Sequence, residues 1–160
     1  MSATTMTLAE FLTARLDEDE AAAREAAQDD TYGDRATPDG RWRMVGVDYE
    51  GESPRPATWA LRTYEYECDR EPWHLHVTRH DPARVLAEVE GKRRIVEVYI
   101  DEGKRKDIYN RDHERGLLTT DGDLRARHSA NARWAGLDAA VRALAAVYAD
   151  HPDYDETWRP

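Results

Sequence analysis

The chain has one cysteine, Cys68, so no intramolecular disulfide framework holds it together. It has one phenylalanine, Phe11, and its 23 basic residues include only three lysines, Lys92, Lys104 and Lys106. No run approaches the ~20 consecutive apolar residues of a membrane span. The opening MSATTMTLAEF lacks the basic start and apolar stretch of a signal peptide. A cytoplasmic location without membrane association is the expectation. An excess of base is also missing: the formal charge of −10 argues against general nucleic-acid binding, whose affinity comes mainly from Lys and Arg neutralising phosphates. The acidity lies in the first quarter, where residues 1–40 carry ten acids against three bases.

Sites of familiar chemistry are equally scarce. Neither Gly-x-Gly-x-x-Gly nor a Walker-type lysine loop occurs among the nine glycines, so no phosphate cradle is recognisable. There is no Gly-x-Ser-x-Gly elbow, and Ser129 has His128 beside it only in sequence. No cofactor is expected. His74, His76, His80 and Asp81 form the only cluster of metal-ligand types. On a helix, His76 and His80 at i and i+4 share a face, but zinc would need a third protein ligand. The competing reading makes Asp81 a helix cap and the histidines a polar seam. No stoichiometric metal is therefore expected, with His76, His80 and Asp81 kept as candidate ligands.

What is present is the material of one 160-residue domain, with 40% apolar residues available for a core. Thr7 and Glu10 have capping-box spacing, and Met6 and Phe11 sit where a hydrophobic staple needs them. A helix is predicted from Leu8 to Gln28, with Leu8, Phe11, Leu12 and Leu16 on one face. Residues 29–69 are rich in turn formers around two alternating stretches, RWRMVGVDYE and Thr58 to Glu67. They read as a β-hairpin inserted between the first helix and the next. Residues 70–80 read as a short helix capped by Asp69, with a strand as the alternative because HLHVT alternates.

Asp81 followed by Pro82 marks a strong helix start, a capping oxygen and then a residue whose missing N–H costs nothing there. That helix is predicted to run towards Asn110, with Gly91 and Gly103 as weak spots, and its alternating acids and bases suggest a solvent-facing array of ion pairs. LLTTDGDL suggests an Asp-Gly turn. Beyond it, Trp134, Leu137, Val141, Leu144 and Tyr148 step by three and four residues along a third helix ending near Ala149. Tyr154 and Trp158 are large aromatics in the polar tail 150–160, and they are expected to pack back on the helices. The fold class is thus α+β and mostly helical, with three main helices and a small hairpin.

Three stretches, LAEFLTARLDEDEAAARE (8–25), HVTRHDPARVLAEVEGKRRIVE (76–97) and VRALAAVYADHPDYDETWRP (141–160), together resemble a family of small actinobacterial and phage proteins, domain of unknown function 6221. In that family the second motif reads His-Ile-Ala-Arg-His-Asp-Pro, and His76, Arg79, His80, Asp81 and Pro82 stand at the matching places. The resemblance implies source and a helical architecture without naming a reaction. The resulting expectation is a non-enzymatic protein-interaction or assembly module, with another protein or a second copy of the chain as partner. The alternatives are a metal-dependent enzyme built on His76 and His80, and an acidic mimic of DNA that occupies a host DNA-binding protein.

Overall fold

The computed structural model of the chain describes residues 6–28, 76 and 79–160. Among these residues there are three α-helices and two short 3-10 turns. Helix α1 is Leu8–Gln28, α2 is Pro82–Glu114 and α3 is Asp121–Ala145. The 3-10 turns are Ala146–Tyr148 and Glu156–Trp158. The expected α+β class is corrected by this arrangement, because the described residues contain no strand. The two stretches assigned to the hairpin, within 29–69, lie outside the described residues. By contact density the chain divides into two compact units, Met1–Leu16 with Gly91–Pro160, and Asp17–Glu90.

Helix α1 starts where its first turn satisfies its own donors. The Glu10 carboxylate accepts from the Thr7 backbone N–H at 2.8 Å while Thr7 Oγ1 accepts from Glu10 N–H at 3.3 Å. This is the reciprocal capping box that the spacing predicts. The two hydrogen bonds from Thr7 hold the Glu10 carboxyl below its ordinary pKa. Leu8, Phe11, Leu12 and Leu16 are all buried, as expected from their shared face. Met6, the outer half of the proposed staple, remains 40% exposed.

In the second unit, His76 and Arg79 are helical, and His80 N–H donates to the His76 carbonyl at 3.1 Å. The described part of 70–80 is therefore a helical turn. Asp81 Oδ1 accepts from Arg84 N–H at 2.8 Å, the geometry of an N-cap ahead of Pro82. Asp81→Ala should cost about 1 kcal/mol of stability, the usual value of a lost cap. Urea titration beside Asp81→Asn, which keeps a capping oxygen, measures it. An unchanged midpoint in the alanine variant would remove the cap from the account of this helix.

Helix α2 has 33 residues and passes through both glycines that looked like weak spots. At Gly103 the reason is packing. A Cβ there would lie 3.2 Å from Nε1 of Trp134, so the missing side chain lets the indole approach the α2 backbone. The helix ends at Gly116, whose φ of 68° is left-handed. Gly116 N–H donates to the His113 carbonyl and Leu117 N–H to the Asp112 carbonyl, both at 2.9 Å, closing a Schellman motif.

The expected Asp-Gly turn is instead the first turn of α3. Thr120 Oγ1 accepts from Asp123 N–H at 3.1 Å and the Asp123 carboxylate accepts from Thr120 N–H at 3.0 Å. This second capping box starts the helix one residue before Gly122, and its hydrogen bonds lower the Asp123 pKa. Inside, Val141, Ala130 and Ala145 are fully buried, while Trp134, Leu137, Leu144 and Tyr148 are half-buried along the predicted seam.

Candidate functional site

Four places carry chemistry beyond simple core packing. The first is the His-Asp-Pro turn. His76 and His80 are both exposed, with ring centroids 4.6 Å apart and planes inclined at 45°. Asp81 is occupied with Arg84 N–H, and the Arg84 guanidinium pairs with Glu88 at 2.7 Å and donates to the Arg79 carbonyl. Among the described residues no group of three His, Cys, Asp or Glu side chains is placed to hold a metal ion.

The second is the C-terminal tail, folded against the first two turns of α1. Phe11 is fully buried at the centre of a ring cluster. Its ring centroid lies 5.1 Å from Trp158, 5.8 Å from Tyr154, 5.8 Å from His151 and 6.4 Å from Tyr148. Three of these contacts are edge-on, the arrangement that places a positive ring edge against a negative face. Trp158 is buried and Tyr154 half-buried. The tail's last turn is fixed by Asp155, which accepts from Thr157 N–H at 2.8 Å and whose pKa is lowered by that bond.

Arg15 joins this cluster as a buried cation. Its guanidinium carbon is 5.3 Å from the Phe11 centroid, and Nη1 meets the His151 ring, 2.6 Å from Nδ1. Asp153 N–H also donates to His151 Nδ1, at 3.1 Å. Neither Arg15 nor His151 was singled out for this role from the sequence. The signal was legible, since Arg15 is the one charged residue between Leu8 and Leu16 that falls on their shared face.

The third place is a polar ladder between α2 and α3. Asn110 and Asn131 exchange amide hydrogen bonds at 3.2 Å in each direction, and Arg127 Nε donates to Asn110 Oδ1 at 2.8 Å. Nearby, the Trp134 ring lies on Tyr99, 5.9 Å between centroids, with Lys106 Nζ 3.6 Å from the Trp134 centroid. Tyr99 Oη donates to Asp138 at 3.2 Å, Asp138 accepts from Arg142 at 2.7 Å, and Arg142 reaches the Thr157 carbonyl at 2.6 Å. Burial, with the Asp138 charge and hydrogen bond behind it, pushes the Tyr99 phenol above its ordinary pKa. This relay joins α2, α3 and the tail. The expected surface ion pairs are present too, including Lys104 with Asp101 and Arg133 with Glu102 across the helices.

The fourth place is the outer side of α3. Ala132, Ala135, Gly136, Ala139, Ala140 and Ala143 are exposed, and Val147 just beyond them is 76% exposed. Ala132, Gly136, Ala139 and Ala143 step by four, three and four residues, so they form one stripe opposite the Trp134 to Leu144 seam. Arg133 is the one charged residue among the exposed positions from Ala132 to Val147. Nothing in the sequence marks this face, because alanine suits a solvated helix as well as a docking one.

Among the described residues, then, the class is a helical protein whose aromatic tail is anchored on its first helix. The chain belongs to a family of unknown function, DUF6221, whose model matches residues 5–160. The match runs through residues 29–75 and 103–136, which the three recognisable motifs left uncovered. No curated protein and no solved structure matches the chain. No helix among the described residues is long and apolar enough to cross a membrane.

Proposed function

We propose that the protein is a non-enzymatic protein-interaction or assembly module that works in the cytoplasm of an actinobacterium or its phage. The observation that supports this reading is the outer face of α3. Helix sides turned to water ordinarily carry charge, yet this one holds alanine, glycine and valine with a single arginine over four turns. Small side chains let another backbone approach closely, so the face suits a second helix, from another protein or from a second copy of this chain.

The test is a pair of charges in the stripe. Ala139→Glu with Ala143→Glu should leave the melting temperature nearly unchanged, since surface substitutions usually stay within about 0.5 kcal/mol. Association should be lost, read as a fall in mass by light scattering if the chain pairs with itself, or as loss of one captured protein from host lysate. Equal association by the wild type and the double variant would sink the reading.

A further inference from the structure

We propose that His76 and His80 form an exchangeable two-imidazole chelate for a divalent transition-metal ion, copper(II) foremost. The inference stands apart from the α3 face. The bond from His80 N–H to the His76 carbonyl makes this segment one helical turn, and residues four apart on a turn share a side. The two rings lie 4.6 Å apart by centroid and are inclined at 45°, so they are adjacent without being stacked. Both are exposed, so a hydrated ion reaches them without opening the fold.

The donor set selects the metal. Neutral imidazole suits copper, nickel and zinc. A structural zinc site demands four tetrahedral protein ligands, and here Asp81 is engaged in capping α2. Among the described residues no third protein ligand is placed beside the pair, so the proposed coordination sphere is two imidazoles completed by water. Two adjacent nitrogens plus water suit the tetragonal preference of copper(II), which also heads the affinity order of the divalent series. A bound ion would tie the His76–His80 turn together immediately before the N-cap of α2. Thermal stability should therefore rise with copper, because the ligand favours the state that holds both rings together.

The experiment is a titration of the full chain with copper(II) chloride, followed by calorimetry and electron paramagnetic resonance. One ion per chain with a two-nitrogen signature is expected, together with an upward shift in melting temperature. His76→Ala and His80→Ala, each on an exposed turn, should retain the helical circular dichroism of the parent and lose both the binding and the shift. His113→Ala and His151→Ala should retain copper binding, and zinc should bind more weakly than copper. Undiminished copper binding in either His76→Ala or His80→Ala would overturn the proposal, as would a one-nitrogen signature in the parent.

Discussion

Phe11→Ala should lower the unfolding free energy by roughly 3–5 kcal/mol, the range for deleting a large ring from a closed core. The ring is fully buried and touches Tyr148, His151, Tyr154 and Trp158. Each aromatic pair adds about 0.5–1.5 kcal/mol beyond area burial, though the pairs share one ring and do not add simply. Arg15 also loses the ring face over which it lies. Chemical denaturation measures the loss directly. A change below about 1 kcal/mol would show that the cluster closes over the gap or is not the centre of this packing.

Deleting residues 152–160 should cost nearly as much, about 3 kcal/mol. Burial of one large apolar side chain is worth about 1.5–3 kcal/mol, and the deletion removes Trp158 entirely and the half-buried Tyr154 with it. It also strips Arg142 of the Thr157 carbonyl and leaves Phe11 uncovered on one side. Because Phe11 and the tail share contacts, Phe11→Ala should cost less in the truncated chain than in the full one, a coupling that a double-mutant cycle reads. Amide exchange gives a second view. The N–H groups of Tyr154 and Trp158 donate to His151 and Asp155 carbonyls at 2.9 Å and should be protected in the free protein. Fast exchange there, with unchanged melting of the truncated form, would make the tail a detachable peptide and not part of the fold.

How much of this was legible beforehand varied with the range of the interactions. The capping box at Thr7 and Glu10, the Leu8 start of α1 and the Asp81-Pro82 entry to α2 depend on residues within one turn of each other. Local spacing therefore reveals them. The apolar stripe of α1 was equally plain, since four leucine and phenylalanine positions repeat at the helical period. Thr120 and Asp123 carried the same kind of signal. It was obscured by Asp121-Gly122, which reads as a turn until the reciprocal hydrogen bonds place it inside the helix. Gly116, following the basic last turn of α2, was a stop signal of the same local kind.

The sequence by itself determined where α1 and α2 begin, which side of α1 and α3 turns inward, and that no intramolecular disulfide supports them. Each of those follows from period, cap chemistry or composition, all properties of neighbours in the chain. Only the tertiary structure decided the rest. It put Arg15 and His151, 136 positions apart, in contact. It matched Gly103 to the Trp134 indole and paired Asn110 with Asn131. It left the alanine side of α3 uncovered while burying the aromatic tail. The physical reason is that burial is not a property of a residue type. Alanine is stable in a helix whether water or another helix lies against it, whereas Tyr154 and Trp158 must find a surface, and only the packed chain shows which one.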